Sequence, residues 1–301
     1  MKSGQAIGID LGCTNIKGVL IDRDGTIVQE SKSDTQEHDE RHWKRAVANM
    51  IADFEKESGG NVEAIGLCAP GLADPDNECI SFMPGRIPGL ENFSWTNLIK
   101  RKVFVLNDAH AAIMAEASFG AAKGLKHAAL LSLGTGVGGA ILINGQLYQG
   151  VFQMAGHIGH STVDADTLSQ DVTNMPGSIE NAIGNLTLPE RSYGRYKDTG
   201  DLVNDFRKGD HIATWIWLSS VRKLAVTIAS INNILSPEAV ILSGGITQAN
   251  DALLDPLRDF LSLYEWRPGG KQTPVKLALF SDRAGAIGAA GFALSKIEIG
   301  T

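Results

Sequence analysis

Two stretches of the chain, about 120 residues apart, repeat the same order of features. The first reads IDLGCTNIKGVLIDRDG and the second LSLGTGVGGAILINGQ. Each contains an apolar strand, a Leu-Gly pair, a turn that carries a threonine, a second apolar strand, and an Asp-Gly or Asn-Gly pair typical of β-hairpins. Repeats at so long a period indicate duplicated domains rather than a solenoid. Two unrelated hairpins that use the same favoured turns are the alternative.

Apolar strands and helices alternate around these repeats. QAIGIDLG, VEAIGLCAP, KVFVLND and AVILSGGI predict buried strands. Helices are predicted by an apolar stripe from Trp43 to Phe54, by the alanine-rich DAHAAIMAEASFG, and by residues 211–235 and 284–295. The polar segment 186–209 has little periodicity, and we expect it to lie exposed. This pattern is typical of an α/β protein, and a length of 301 residues favours two domains.

Composition limits the kinds of partner. The net charge is −7 and the isoelectric point about 5.5, which argues against a nucleic-acid or anionic membrane surface and favours a small molecule. Cys13, Cys68 and Cys79 form no CxxC pair, so neither a disulfide framework nor a cysteine-based metal site is expected. We predict a cytoplasmic protein, because the opening MKSGQAIGIDLG is unlike a signal peptide and no run reaches membrane-spanning length.

Three glycine turns follow predicted strands, where backbone N–H groups can hold phosphates without interference from Cβ atoms. DLGCTN carries Gly12 and Thr14, and the preceding Asp10 is suited to a hydrated Mg²⁺ ion. LGTGVGG repeats this arrangement in the second half of the chain, and LSGGI has Gly244 and Gly245, which could admit an adenosine. One such turn is usually only a turn. Three together predict a nucleotide-binding protein.

Asp108 is the candidate for proton transfer. VFVLNDAHAA ends a predicted strand and begins a predicted helix at Asn107 and Asp108. One interpretation is a helix N-cap, for which Asp and Asn are favoured. The other is a catalytic base, because phosphoryl transfer to an alcohol needs a carboxylate that accepts the hydroxyl proton.

The segments IGIDLGCTNIKGVLID, LCAPGLAD, LNDAHAAIMAE, LSLGTGVGGAILINGQL, AGHIGH and ILSGGI, in this order, resemble the ROK family of bacterial sugar kinases and related repressors. The resemblance implies two actin-like, ribonuclease H-like domains around a central cleft. Their expected bounds are 1–120, joined by the last helix at about 284–301, and 121–283. ATP and Mg²⁺ are the implied ligands, a hexose or hexosamine the substrate, and a homodimer the assembly.

The resemblance also implies roles for individual residues. Asp108 is the general base, and Asp10 holds Mg²⁺ through water, because Mg²⁺ keeps part of its hydration shell. The implied sugar ligands are Gly71, Asn107, His157, His160 and Glu180. The implied nucleotide ligands are Asp10, Gly12, Cys13, Thr14, Asn15, Lys17, Gly134, Thr135, Gly136, Val137, Gly138, Gly139, Gly244 and Gly245.

The chain departs from the family in its zinc-binding segment. There the family has Ala-Gly-Glu-x-Gly-His followed by Cys-x-Cys-Gly-x-x-Gly-Cys-Leu-Glu, and its His and three Cys bind a structural zinc. Here the segments are AGHIGH and DVTNMPGSIE, so that Asp171, Thr173 and Ser178 occupy the cysteine positions. We therefore expect no zinc site, and Asp171 with His157 would be a poor substitute for one.

Three other departures leave the sugar unidentified. His157 replaces the Glu of the first segment, Arg86 lies where Pro-Asn is usual, and His110 lies where Asn is frequent. If His157 and Arg86 both face the substrate, the site is more positive than is typical and an anionic sugar becomes a candidate. Arg86 as a solvated loop residue is the alternative.

Two other functions compete with a sugar kinase. Repressors of this family carry a basic helix-turn-helix before the kinase-like part, whereas this chain is acidic and reaches its first glycine turn at Gly12, so we expect no DNA binding. A non-catalytic sugar-binding or sensing relative is the second alternative. Asp108 and both phosphate loops are retained, which favours the kinase.

Overall fold

The structure is a computed structural model that describes residues 4–83 and 85–299. The outermost residues of the predicted domains, 1–3 and 300–301, lie outside this description. The strands are β1 (Gln5–Leu11), β2 (Asn15–Asp22), β3 (Ile27–Asp34), β4 (Val62–Ala69), β5 (Leu72–Ala73), β6 (Ile80–Phe82), β7 (Phe104–Asn107), β8 (Ala128–Leu133), β9 (Val137–Ile143), β10 (Gln146–Tyr148), β11 (Ala239–Ser243) and β12 (Val275–Leu277). The helices are α1 (Glu40–Glu57), α2 (Trp95–Ile99), α3 (Asp108–Phe119), α4 (Ile179–Ile183), α5 (Leu188–Arg191), α6 (Thr199–Arg207), α7 (His211–Leu235), α8 (Asp251–Tyr264) and α9 (Ala284–Ile299).

The chain forms two compact units. Unit 1 comprises Met1–Gly124, Gln149–Ala155 and Leu279–Thr301, and unit 2 comprises Leu125–Tyr148 and Gly156–Ala278. The sequence-based division had no such return at residues 149–155. One long-range contact of this segment joins the imidazole Nε2 of His110 and the carbonyl oxygen of Ala155, which are 3.3 Å apart.

Unit 1 is built on a five-stranded sheet in the order β3-β2-β1-β4-β7. β1 pairs antiparallel with β2 and parallel with β4, and β4 pairs parallel with β7. The predicted hairpin between β2 and β3 is present, and Gly25 in its turn has a φ of 88°, a conformation that glycine adopts without strain. The stripe from Trp43 to Phe54 packs α1 into the core of this unit, as predicted.

Unit 2 repeats this topology with the strand order β10-β9-β8-β11-β12. β8 pairs antiparallel with β9 and parallel with β11, and β11 pairs parallel with β12. The central strands β1 and β8 are each followed by a glycine turn and an antiparallel partner. The two sequence repeats therefore occupy equivalent places in two similar sheets.

Segment 186–209 is more ordered than its weak periodicity indicated. It contains α5 and α6, and Leu188, Tyr196 and Leu202 of this segment belong to the core of unit 2. Asp198 caps α6 by accepting a hydrogen bond from the backbone N–H of Asp201. Most residues of the segment are exposed, as predicted, but its two short helices were not predicted, because only a few apolar residues attach them to the core.

Helix α7 has the bounds expected from sequence. By length and composition it could cross a membrane, but 56% of its apolar window is buried inside the protein. Its apolar residues Ile216, Val221 and Leu224 belong to the core of unit 2, which accounts for its hydrophobicity.

Helix α9 lies directly against the sheet of unit 1. A Cβ atom added to Gly8 in β1 would lie 1.9 Å from the carbonyl oxygen of Ala286, and one added to Gly66 in β4 would lie 2.0 Å from that of Ala289. On another face of α9, a Cβ atom on Gly288 would lie 1.7 Å from the carbonyl oxygen of Ala111 in α3. Glycine at these positions therefore sets the distance at which the helix packs on its neighbours.

We predict that Gly8→Ala lowers the free energy of unfolding by about 2 kcal/mol or more, because the added methyl group must displace α9 from β1. Urea unfolding measures the effect. Gly245→Ala is the matched control, since its Cβ atom would enter open space, and it should change stability by less than about 0.5 kcal/mol. Equal stability of the two variants would contradict this account of the packing.

Candidate functional site

The sequence left two roles open at Asn107 and Asp108, helix N-cap and catalytic base, and the structure gives the N-cap to Asn107. Asn107 is the N-cap of α3, because its Oδ1 accepts hydrogen bonds from the backbone N–H groups of Ala109 at 2.9 Å and His110 at 3.4 Å. Asp108 is the first residue of the helix, and its side chain is exposed. One of its carboxylate oxygens also lies 2.8 Å from the N–H of Ala109. The helix is thus capped without Asp108, whose carboxylate remains accessible.

The environment of Asp108 makes its carboxylate a better proton acceptor. Loss of hydration beside the surrounding protein raises the pKa of Asp108, although hydrogen bonds from Ala109 and Asn107 act in the opposite direction. A raised pKa in an accessible carboxylate is suited to general base catalysis.

Asn107 also holds the predicted sugar residue Gly71. Its Nδ2 donates to the carbonyl oxygen of Gly71 at 2.9 Å, and the side chain is buried. Gly71 has a φ of 102°, and a Cβ atom there would lie 2.5 Å from the carbonyl oxygen of Phe82. Because an amide nitrogen carries two hydrogens, Asn107 can bind Gly71 with one and the Asp108 carboxylate with the other.

Asp10 lies at the end of β1 against the first turn of α9. A Cβ atom on Gly285 would lie 2.7 Å from the Asp10 carboxyl carbon, and the Cys68 thiol donates to Asp10 Oδ1 at 3.5 Å. Burial and the negative charge of Asp108 raise the pKa of Asp10 to about 6. A carboxylate this poorly compensated by protein groups fits a divalent cation, and oxygen is the donor that Mg²⁺ prefers.

The loop after β1 is held by its own backbone and by Thr35. Gly12 donates to the carbonyl oxygen of Asn15 at 3.0 Å, and Thr35 Oγ1 donates to that of Gly12 at 2.6 Å. Thr14 is exposed at the tip of the loop. Within the described residues, the backbone N–H groups of Cys13 and Thr14 donate to no protein acceptor, so they are available to an anion.

Two cations near this loop have carboxylate partners. Lys17 Nζ lies 3.1 Å from Asp282 Oδ2 and also donates to the Asp282 carbonyl oxygen. Arg86 Nε lies 3.3 Å from Glu37 Oε1. The added positive charge expected from Arg86 is therefore offset by Glu37, which weakens the argument for an anionic sugar.

The loop after β8 is attached to the rest of unit 2 through its carbonyl oxygens. The carbonyl oxygens of Gly134 and Thr135 accept from the N–H groups of Asn185 and Leu186, both at 2.9 Å. Across the described residues, the N–H groups of Thr135 and Gly136 meet no protein acceptor. This arrangement leaves two adjacent donors for an anion.

Glu180 supports the same loop, a role that the sequence gave no signal for. Its Oε2 accepts from the N–H of Val137 at 2.9 Å, while the buried Oε1 has no hydrogen-bond partner among the described residues. A Cβ atom on Gly136 would lie 2.3 Å from Oε2. The absent side chain of Gly136 thus makes room for Glu180, whereas at Gly134 a Cβ atom would enter open space.

The segment AGHIGH lies on the start of β9, in which Gly138 and Gly139 are strand residues. Cβ atoms on Gly139 and Gly159 would lie 2.4 Å from the Gly156 carbonyl oxygen and 1.7 Å from the Val137 carbonyl oxygen, respectively. Glycine therefore brings this segment beside the loop after β8, within unit 2.

His160 contacts the residues at the former cysteine positions. Its Nδ1 lies 3.2 Å from Asp171 Oδ2 and 3.3 Å from Thr173 Oγ1. His157, considered above with Asp171 as a substitute for the zinc site, stacks on His160 with ring centroids 6.5 Å apart. One atom each of His160, Asp171 and Glu180 lie within 4.8 Å of one another, a grouping that could hold a metal ion. The absence of zinc stays a prediction.

A cavity of about 380 Å³ in unit 2 borders the turn after β11. Gly245 and Gln248 line one side, and Asn185, Thr199 and Asn204 bring polar groups to it. A Cβ atom on Gly245 would meet no atom within 4 Å. Gly244 has a φ of 90° and packs on the backbone of Leu133, so its role is to form the turn. The sequence gave no sign that Thr199 and Asn204 line this cavity, because they are distant in sequence from Gly245.

Comparison with known proteins gives consistent results. The sequence profile of the ROK family matches residues 6–296. A glucokinase from Thermotoga maritima is 31% identical over 320 residues, which cover 99% of this chain and 99% of that enzyme. A xylose repressor from Bacillus spizizenii is 29% identical over 280 residues, which cover 87% of this chain and 69% of the repressor.

A solved structure is similar as well. It is that of a ROK family glucokinase from Streptomyces griseus in complex with glucose and AMPPNP, with a TM-score of 0.76 and 27% identity, and the match covers 97% of this chain and 100% of that one. The expected α/β class with two actin-like domains is thereby confirmed.

We predict that Asp10→Asn stabilises the metal-free protein at neutral pH. The pKa of Asp10 is about 6 in the folded protein against an ordinary 3.8, so folding costs free energy as the carboxyl ionises between about pH 4 and 6. In EDTA at pH 8, the variant should be more stable by roughly 1–3 kcal/mol, and the difference should vanish below pH 4.

Urea unfolding across this pH range measures the difference. Asp53→Asn, which removes an exposed carboxylate from α1, is the control and should show no such pH-dependent gain. A loss of stability in Asp10→Asn at pH 8 would contradict the assignment of a costly buried charge.

Proposed function

The chain belongs to the ROK family, and from this premise we propose that it is a sugar kinase, which transfers the γ-phosphoryl group of ATP to a hydroxyl group of a hexose or hexosamine. The observation that carries the proposal is that two adjacent polar residues at the start of α3 have different surroundings. Asn107 caps the helix, and the adjacent Asp108 keeps an accessible carboxylate with a raised pKa.

Asp108 is the general base in this proposal. Its carboxylate accepts the proton of the sugar hydroxyl as that oxygen attacks the γ-phosphorus. The bond between the γ-phosphorus and the β–γ bridging oxygen breaks, and ADP leaves. The raised pKa brings the base nearer to the working pH, which favours proton transfer. The N-terminus of α3 carries a partial positive charge that keeps the carboxylate ionised in the resting protein.

Unit 1 also supplies the cation site and one phosphate loop. Asp10 holds Mg²⁺ through water, and the backbone N–H groups of Cys13 and Thr14 bind phosphate oxygens. When bound, Mg²⁺ neutralises charge on the phosphates during transfer. Lys17 remains a candidate phosphate ligand, but to act as one it must leave Asp282.

Unit 2 supplies the remaining nucleotide contacts. The N–H groups of Thr135 and Gly136 bind phosphates, and the cavity beside Gly245 receives the adenosine, for which its volume is adequate. The S. griseus glucokinase was solved with AMPPNP, which supports ATP as the phosphoryl donor here.

The proposed ligands of the sugar hydroxyls are polar side chains of unit 2 and of unit 1. In unit 2, Glu180 Oε1 has no hydrogen-bond partner in the part of the chain that the structure describes, so it is a buried acceptor that a hydroxyl donor would satisfy. His160 and His157 lie in the neighbouring segment. In unit 1, Asn107 holds Gly71 in place, and it can bind a sugar hydroxyl through the amide hydrogen that otherwise faces Asp108. Glucose is the ligand of the S. griseus enzyme, but His157 leaves the preferred sugar of this chain to experiment.

The working form in this proposal is a cytoplasmic homodimer. A non-catalytic sugar sensor is the competing function, and the similarity to a xylose repressor favours it. Incubation with MgATP and a panel of hexoses, hexosamines and sugar acids, with release of ADP as the readout, separates the two. Sugar binding without any sugar-dependent ADP release would support the sensor.

We predict that Asp108→Asn lowers kcat by about 10²- to 10⁴-fold, because an amide keeps the shape of the carboxylate but accepts no proton. Calorimetry should give sugar affinity within about threefold of the unmodified chain. Asp251→Asn is the matched control, since Asp251 is also an exposed first residue of a helix, and it should leave kcat unchanged. Near-normal turnover of Asp108→Asn would exclude this residue as the base.

We predict that Gly245→Val raises the KM for ATP by about tenfold or more, because the side chain would occupy the cavity without meeting protein atoms. The KM for the sugar and the melting temperature should stay unchanged. An unaltered KM for ATP, or an equal increase for both substrates, would show that the adenosine binds elsewhere.

A further inference from the structure

The segment from Ser161 to Ser178 is folded around the Asp171 carboxylate. Asp171 Oδ1 accepts three hydrogen bonds, from the Thr173 hydroxyl at 2.7 Å and from the N–H groups of Thr173 at 2.8 Å and Met175 at 3.1 Å. Its side chain has no exposed surface. The other oxygen, Oδ2, faces the imidazole Nδ1 of His160 at 3.2 Å.

Asp171 is ionised and acts only as an acceptor. Burial alone would raise its pKa, but hydrogen bonds from Thr173, Ser178 and the backbone outweigh this effect and lower the pKa to about 2. The carboxylate therefore carries no proton that it could donate to His160.

The Thr173 hydroxyl group likewise has no hydrogen to donate to His160. A hydroxyl group has one hydrogen, and that of Thr173 is used in the short bond to Asp171 Oδ1. Toward His160 Nδ1, at 3.3 Å, the hydroxyl oxygen can then only accept. Both neighbours of Nδ1 are acceptors, so Nδ1 must be the donor.

We propose that Asp171 and Thr173 are positioning residues, which fix His160 as the tautomer with hydrogen on Nδ1 and so present Nε2 as a hydrogen-bond acceptor for a substrate hydroxyl group. The side chain of His160 is 35% exposed, and Nε2 makes no hydrogen bond to the described residues. This inference rests on the proposed function for the identity of the ligand. The tautomer itself follows from the hydrogen bonds.

The consequence concerns which sugar is accepted. A fixed acceptor requires a hydroxyl donor at one position of the sugar, and a deoxy or O-methyl analogue at that position leaves Nε2 without its bond. Glu180 lies in the same group of residues and adds a second fixed acceptor. The substrate predicted by this pair carries two free hydroxyls close to each other.

Asp171→Asn tests the proposal because it should reverse the tautomer without unfolding the segment. Three donors meet at Oδ1, so the amide oxygen should take that position and the NH₂ group should face His160. Nδ1 must then accept, and the hydrogen moves to Nε2. We expect ¹⁵N spectra of the ligand-free protein in EDTA to show this exchange of protonated and unprotonated nitrogens, with His160→Gln used for assignment.

Kinetics provides the second readout. In Asp171→Asn, the KM for the sugar should rise about 10- to 100-fold, while kcat and the KM for ATP change by less than threefold. In a His160→Ala background, Asp171→Asn should have little further effect on KM, because the two residues act through one group. Asp164→Asn is the matched control, since this carboxylate of the same segment pairs with Lys223 Nζ at 2.8 Å and should change neither readout.

Each outcome bears on the proposal. An unchanged tautomer in Asp171→Asn, or one zinc ion per chain bound through Nδ1, would overturn it. If Asp171→Asn fails to fold, Thr173→Val removes only the hydroxyl, and the proposal then requires a smaller rise in the KM for the sugar with the tautomer retained. A reversed tautomer in a chain that phosphorylates no sugar would count against the proposed function and leave the positioning of His160 intact.

Discussion

The packing of α9 on the sheet of unit 1 determines the environment of Asp10. Glycines in β1, β4 and α9 let backbone meet backbone, so the first turn of the helix reaches the carboxylate at Gly285. Burial of Asp10 and, to a smaller extent, the negative charge of Asp108 raise the pKa of this carboxyl group. The cation site proposed for this unit therefore depends on α9, which is distant in sequence from β1.

The two sheets share a topology but differ in chemistry at the equivalent positions. The carboxylate of Asp10 in β1 corresponds to the hydroxyl of Ser132 in β8 within the aligned repeats. The loop after β8 instead has a carboxylate from elsewhere in the chain, because Glu180 bonds to its backbone. The shared topology fits the duplication predicted from the repeats, and the different residues at equivalent positions give the two loops different chemistry.

A carboxylate serves in segment 161–178 where the family resemblance implies cysteines. Asp171 gathers backbone and hydroxyl donors, which ties the segment together through hydrogen bonds rather than metal bonds. The physical requirement is the same in both cases, since a loop with little apolar surface needs a strongly bound centre to stay ordered. The difference lies at His160, whose Nδ1 faces an anion instead of a metal.

Local pattern alone determined the strands, the long helices and the glycine turns, because hydrophobic periodicity and turn residues act over a few positions. The motifs around Asp10, Asp108, Gly134 and Gly245, in their order along the chain, identified the family. Contacts between distant residues could not be read in this way. The pairing of Arg86 with Glu37, the bond of Glu180 to the second loop and the attachment of residues 149–155 to unit 1 depend on tertiary packing. The residue type of Asp171 was enough to exclude a thiolate site. Its contact with His160 depends on tertiary packing, because only the folded chain brings the carboxylate to the imidazole and so decides which nitrogen carries hydrogen.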